Sequence, residues 1–462
     1  MKKVTSPFYE KVDILIKGGT ALTLCTNDEI IEDCAFGIKD DNIVGIFKIE
    51  REKDLYIKAK EVIDAKGCLI MPGLINAHTH AAMVCFRGLA DDLPLTDWLN
   101  NYIFPAESLN VNEELVYYGT MLACAEMIKS GTTTFCDGYF FENQAFHAVK
   151  ESGMRAILAQ GVIDFPTPDV KNPEKNVKNA ENYLMAHKKD CLISPAVFCH
   201  SIYTCSSQTL KESKELSKKH NVFFLIHLSE TQGEVQQIRE KYGDSPVNYL
   251  KKLGVLDENL IANHCIYLED DEIDILKEYG VKIVHNPESN MKLASGVAPV
   301  PDFISKGIPV GLGTDGAASN NNLDMFQEMD TTAKLHKVIR GDPTVINARQ
   351  VVEMATTGSA EVLGLNKKIG TLEVGKKADI IIVDMNKPHL TPLFNIYSHL
   401  VYCVNGTDVK TAIINGKLVL KDRKLKTIDE GCIMEQVRRI SLRVKTSLND
   451  MNSDVDFNIK KS

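Results

Sequence analysis

The 462-residue sequence has one tryptophan, no C-x-x-C pair among its twelve cysteines, and no apolar run near the roughly 18 residues that a membrane span needs. Scattered from Cys25 to Cys432, the cysteines read as reduced thiols, not as a disulfide framework or a zinc ribbon. Burial accounts for the closest pair, Cys199 and Cys205. The start, MKKVTSPFYEKVDILIKGG, is basic but lacks an apolar core of signal-peptide length. These absences point to a cytoplasmic protein with no membrane partner. Positive charge is also in deficit: 53 Lys and Arg against 62 Asp and Glu give a net charge of -9, which argues against a phosphate-tracking nucleic-acid surface. Otherwise 44% hydrophobic and 25% charged residues describe an ordinary globule, long enough for an α/β barrel plus a second domain.

What is present is a regular alternation of short β-rich runs with longer amphipathic ones, the pattern of βα units around a parallel sheet. Eight runs are read as strands: LIMPGLINAHTH from Leu69, TTTFCDG from Thr132, MRAILAQGVI from Met154, LISPAVFCH from Leu192, VFFLIHL from Val222, LIANHCI from Leu260, VKIVHN from Val281 and IPVGLGTDG from Ile308. Eight strands predict a closed (β/α)8 TIM-like barrel over residues 69–365. Between the first two lie about fifty residues, Ala81 to Gly131, too many for a simple βα loop and placed to shape a pocket at the barrel mouth. Residues 1–68 and 366–427 carry alternating runs such as VDILIKGG and ADIIIVDM, read as a small β domain formed from both chain ends. Residues 428–462 begin as an amphipathic helix and turn polar, the pattern of a loosely held end.

In such barrels the working residues sit at the C-terminal ends of strands. His78 and His80 end the first strand and share a face because side chains alternate with a period of two. A lone H-x-H is weak evidence, but His200, His227, His264, His285 and Asp315 end strands four to eight. His78, His80, His227 and Asp315 supply the three or more ligands of a catalytic zinc. Glu230, three residues after His227, is placed for general acid/base work, or alternatively for a helix N-terminal charge. His200, His264 and His285 also fit hydrogen-bonded core histidines. The remaining six, His147, His187, His220, His336, His389 and His399, are read as structural. GLGTDG, Gly311 to Gly316, matches G-x-G-x-x-G, yet it follows the last strand, where no dinucleotide site belongs. The H-x-E with P-C-x-x-C signature of the other zinc deaminase architecture is absent.

In order, PGLINAHTH, IHLSE, NHC, VHNPESNMKL and GTDGAASNN resemble the amidohydrolase superfamily over nearly the whole chain. Within it, His78 to Glu107, HTHAAMVCFRGLADDLPLTDWLNNYIFPAE, resembles the 5'-methylthioadenosine/S-adenosylhomocysteine deaminases. The resemblance implies a barrel plus a small β-sandwich, one divalent metal per chain with zinc the first choice, a small nucleoside substrate and a homo-oligomer. It implies hydrolytic deamination at adenine C6, with His78, His80, His227 and Asp315 holding the metal, Glu230 protonating ring N1, Asp315 accepting the proton of the attacking water and His264 steering it. Glu107 would hold the ribose hydroxyls, His200 would contact the nucleoside, and Trp98 would either line the pocket or simply pack. One departure bears on the substrate. Relatives often place arginines after strand three to clamp an amino-acid carboxylate, but here no arginine stands between Arg155 and the next strand, and Lys171 or Lys175 would act only as point charges. 5'-Methylthioadenosine or 5'-deoxyadenosine is therefore expected over S-adenosylhomocysteine. The competing readings are a guanine, pterin or triazine aminohydrolase and, less favoured, a non-catalytic scaffold.

Overall fold

The computed structural model describes residues 11–26, 30–49, 57–187 and 190–459, with side chains through residue 449. The first ten residues of the basic start lie outside the described residues. At the centre, eight parallel strands run Leu74–Thr79, Thr132–Tyr139, Arg155–Val162, Ile193–Cys199, Phe224–Leu228, Leu260–His264, Lys282–His285 and Val310–Leu312, each bonded to the next. Their sequences are near-continuous apolar runs because helices cover the outside and side chains fill the inside, so both faces are dry. Arg155–Val162 and Phe224–Leu228 are buried throughout. The eighth strand returns to the first. Asp315 N donates to His78 O at 2.9 Å and Thr314 N to Asn76 Oδ1 at 3.0 Å, bringing the last loop over the H-x-H motif.

The helices between strands carry their own stop signals. Ser206 and Thr231 cap Ser207–His220 and Gln232–Tyr242 at their N-termini, and Asn221 and Gly243, in left-handed conformation, end them.

Beside the barrel lies a β-sandwich. One four-stranded sheet is built within residues 12–64. A seven-stranded sheet joins Thr20–Leu22, Ile30–Glu32 and Cys68–Pro72 to Ile380–Asp384, Val409–Ile414, Lys417–Lys421 and Lys424–Leu425. Side chains including Ile16, Phe36, Ile70, Ile380 and Ile413 form a core of their own.

This corrects the expected boundary at Leu69. Leu69–Pro72 do not begin the first barrel strand; they pair antiparallel with Ile380–Val383 in the sandwich. The chain changes sheets at Gly73, where a Cβ would meet Thr133 Oγ1 at 2.1 Å. Both sides of that junction are buried, so the apolar run carries no sign of the change. The two units are also tied by a buried bidentate ion pair, Arg155 Nε to Asp379 Oδ2 at 2.8 Å and Arg155 Nη2 to Asp379 Oδ1 at 3.1 Å.

The long segment after the first strand resolves into a 3-10 turn Ala81–Phe86, a π-helical turn Trp98–Ile103, a helix Phe104–Asn110 and a helix Glu113–Lys129. The C-terminal segment forms the expected helix, Glu430–Ile459, and its first half packs against the protein. Ile433, Val437, Ile440 and Val444 recur at helical spacing and are buried. Ser447 Oγ donates to Asn110 Oδ1 at 2.9 Å and Arg443 pairs with Glu114, so this helix braces the inserted segment from outside.

Candidate active site

Strand ends bring five ligand-type side chains to one point. His78 Nε2 and His80 Nε2 lie 3.4 and 3.3 Å from Asp315 Oδ1, and His227 Nε2 lies 3.3 Å from His78 Nε2. Ligand atoms of His78, His227, His264 and Asp315 all fall within 4.8 Å of one another. That group includes His264 in place of the expected His80, although His80 approaches Asp315 equally closely. The two differ in their outer contacts. His80 Nδ1 sits 2.6 Å from Gly138 O, which fixes Nδ1–H as donor and leaves Nε2 as the atom that faces Asp315. His264 Nδ1 is fixed by Asn290 Oδ1 at 2.7 Å, and its Nε2 lies 3.9 Å from Glu230 Oε2.

The electrostatics suit a cation. Burial and neighbouring imidazoles push His227 well below the ordinary range and His200 down to about 3, and burial takes His78 to about 4 despite Asp315, so these rings keep free lone pairs. Burial alone would lower His80 too, but hydrogen bonding and charge from Asp315 raise it to about 9. For Asp315, burial is outweighed by His78 and His80, and the carboxyl is held well below its usual range. Neutral His78 and His227 beside a buried ionised carboxylate, with His80 held by that same carboxylate and ready to exchange its proton for a cation, are the donor set of a single divalent metal, and these residues fit one. Asp315 is held firmly: Ser289 Oγ and Ser319 Oγ donate to Oδ2 at 2.6 and 3.2 Å, and Gly316 N to Oδ1 at 2.8 Å. Asp315, His264 and Ser229 have φ of 62°, 70° and 52°, a left-handed backbone that non-glycine residues keep where surrounding contacts enforce it.

Glu230 lies beside this cluster, buried, with Ser295 Oγ donating to Oε1 at 3.2 Å. Burial raises its carboxyl above the usual range against the opposing pull of His264, which suits a group that must carry a proton. The helix that follows is capped by Thr231 and not by Glu230, and Glu234 in its first turn holds the loop that carries Glu230. The Glu234 carboxylate accepts from Ser229 N at 3.1 Å and Glu230 N at 2.8 Å.

A cavity of about 720 Å3, counting the space open at its mouth, runs from this cluster to the inserted segment. Of the nine residues expected in the site, eight line it, and His78 lies beneath, 1% exposed. Glu107, on Phe104–Asn110, is buried and accepts from Tyr139 Oη at 2.6 Å; burial pushes it up to about 7 against that bond. Trp98 does both things the sequence offered: it is buried, its Nε1–H donates to Ala90 O at 3.1 Å, and its ring lines the cavity. His200 Nδ1 lies 3.2 Å from both Ser201 Oγ and Thr204 Oγ1. The remaining wall is largely apolar, with Leu95, Leu99, Ile103, Phe104 and Ile163, and among the described residues no lysine or arginine lines it.

Arg155 is engaged with Asp379, and Lys171 and Lys175 are exposed and outside the lining. His285 also lies outside, its Nε2 3.2 Å from His336 Nε2. Sequence reasoning missed Tyr139, Glu234, Ser289, Asn290 and Ser295. Ser289 and Asn290 lie inside VHNPESNMKL, where two small polar residues after a strand-end histidine were the available signal. Tyr139 stands one residue beyond the expected end of strand two.

The amidohydrolase family model matches residues 69–419. The chain is 53% identical over 441 residues to 5-methylthioadenosine/S-adenosylhomocysteine deaminase 1 of Syntrophus aciditrophicus, covering 96% of this chain and 99% of that one. It is 46% identical over 406 residues to 5'-deoxyadenosine deaminase of Methanocaldococcus jannaschii, covering 87% and 94%. Its fold is similar to that of an adenosine deaminase from Xanthomonas campestris crystallised with bound zinc, with a TM-score of 0.91 and 35% identity over 95% of this chain and 99% of that one. With its family motif spanning the barrel and its relatives matching from end to end, the chain belongs to the amidohydrolase family.

Proposed function

We propose that the protein is a metal-dependent hydrolase that converts a 5'-substituted adenosine to the inosine analogue and ammonia. The observation that carries this is a single cavity lined both by the His/Asp cluster with Glu230 and by the buried carboxylate of Glu107 on the inserted helix.

In this reading His78, His80, His227 and Asp315 hold one divalent metal, zinc by preference, and His264 remains outside the ligand set. When bound, the metal would lower the pKa of water towards about 7 and so supply a hydroxide nucleophile at neutral pH. Glu230, kept protonated more readily by burial, donates to ring N1 as C6 is attacked, so negative charge does not accumulate on the purine. Asp315 takes the proton of the attacking water through the oxygen not committed to the serines, and hands it to the departing ammonia. His264, oriented by Asn290, steers the attacking oxygen by a hydrogen bond.

Glu107 accepts the 2'- and 3'-hydroxyls of the ribose, His200 contacts the nucleoside and the Trp98 ring closes the wall. The apolar wall, without a lysine or arginine among the described residues, favours 5'-methylthioadenosine or 5'-deoxyadenosine, because the amino-acid carboxylate of S-adenosylhomocysteine would be buried unpaired. Guanine and triazine rings have no diol for Glu107, which disfavours that competing reading.

We also infer a cytoplasmic homo-oligomer, with no nucleic-acid or membrane partner. Net charge of -9 and the lack, among the described residues, of a helix long and apolar enough to cross a membrane support the second part. Light scattering on purified protein reports the assembly.

The test is ammonia release with loss of adenine absorbance by zinc-loaded protein offered 5'-deoxyadenosine, 5'-methylthioadenosine, S-adenosylhomocysteine and guanine. Turnover of the two small nucleosides is expected; turnover of guanine alone would overturn the assignment.

A further inference from the structure

One buried hydroxyl in the cavity has no part in the reaction above. Tyr139 ends the second barrel strand, is 5% exposed, and donates from its Oη to Glu107 Oε1 at 2.6 Å. That separation is in the range of charge-assisted O–H···O⁻ bonds. The partners come from different parts of the fold, a rigid barrel strand and the inserted helix Phe104–Asn110. The bond therefore fixes the carboxylate to the barrel itself.

A glutamate in an apolar cavity faces two hazards. Its terminal torsion is broad, so the carboxylate plane is poorly defined without an anchor. Burial also favours the protonated form, which carries a donor where an acceptor is needed. Tyr139 counters both. Its hydroxyl opposes the upward push on Glu107, and its own ionisation is displaced well above the ordinary range by burial and by Glu107, so it remains the donor. A carboxylate has about four lone-pair sites. Tyr139 occupies one on Oε1, leaving Oε2 and the second Oε1 site for two adjacent hydroxyls.

We infer that Tyr139 is a positioning residue that fixes Glu107 as an oriented, ionised acceptor and thereby sets selectivity for nucleosides with an intact ribose 2',3'-diol. This rests on Glu107 being the ribose-binding group.

The experiment compares kcat/KM for 5'-deoxyadenosine and 2',5'-dideoxyadenosine in zinc-loaded wild type, Tyr139→Phe and Glu107→Gln. Wild type should prefer the diol. Tyr139→Phe should lose about tenfold of that preference, through KM with kcat held, and should barely change the dideoxy substrate. A partly unfolded variant would slow both substrates alike and leave the ratio intact, so the ratio separates positioning from packing. An equal fall for both substrates with Tyr139→Phe overturns the inference. If Glu107→Gln abolishes the preference while Tyr139→Phe keeps it, the inference fails and the Glu107 assignment stands. If Glu107→Gln also keeps it, the assignment itself fails.

Discussion

The metal end of the cavity stands on the ends of barrel strands, each side chain held by its own strand and by neighbours such as Ser289, Asn290 and Gly138. The Glu107 side of the cavity stands on an inserted helix, braced from outside by the C-terminal helix and from inside by the bond from Tyr139. Placement by a nearly closed eight-stranded sheet is rigid and is set by strand register. Placement by an insertion depends on a few contacts that can be altered without disturbing the sheet. Chemistry should therefore fail abruptly when the first end is damaged, and substrate preference should drift when the second is.

Removing the metal with a chelator should abolish turnover, and zinc should restore it, with metal content followed by elemental analysis. Replacing Glu230 with Gln should lower kcat by about a thousandfold while metal content stays near that of wild type. Loss of metal would instead make Glu230 part of the metal end's scaffold. A third change probes the opposite end of the barrel. Asp379→Ala leaves Arg155 buried and unpaired and should cost about 3–5 kcal/mol in denaturant unfolding, with kcat of the folded enzyme unchanged.

Changes on the Glu107 side should be smaller. S-adenosylhomocysteine should show a specificity constant about tenfold or more below that of 5'-deoxyadenosine, since no lysine or arginine among the described residues lines the wall; comparable values would contradict the apolar reading. Glu107 supplies the smallest effect. Burial raises its carboxyl to about 7 against the Tyr139 bond, so the ionised form is lost as pH falls through that region rather than through the ordinary carboxylate range. KM for 5'-deoxyadenosine should rise as pH falls below about 7, and Tyr139→Phe should shift that rise to higher pH. A pH-independent KM would remove Glu107 from ribose binding.

The same contrast explains what the sequence revealed. His78, His80, His227, His264 and Asp315 were legible because strand-end positions follow from a period of two and a count of strands. Tyr139 escaped because extending the second strand by one residue needs the pairing of Gln160 with Tyr139, which no local pattern states. Glu230 and Glu234 compete for one description, a carboxylate near a helix start, and only geometry shows that Glu234 binds the loop backbone while Glu230 lines the cavity. The Leu69 boundary failed because Leu69–Pro72 and Leu74–Thr79 are equally buried in different sheets. The helix Glu430–Ile459 carries its apolar stripe in its first half, so composition past residue 449 understates how far it continues.

The most direct measurement is a crystal structure of zinc-loaded Glu230→Gln with 5'-deoxyadenosine bound. The account predicts the ribose diol on Glu107 and adenine C6 facing the His78, His80, His227 and Asp315 cluster, with the substituted amide side chain at ring N1. A nucleoside lying with its ribose away from Glu107, or its adenine away from the cluster, would contradict the claim that one cavity joins the two ends.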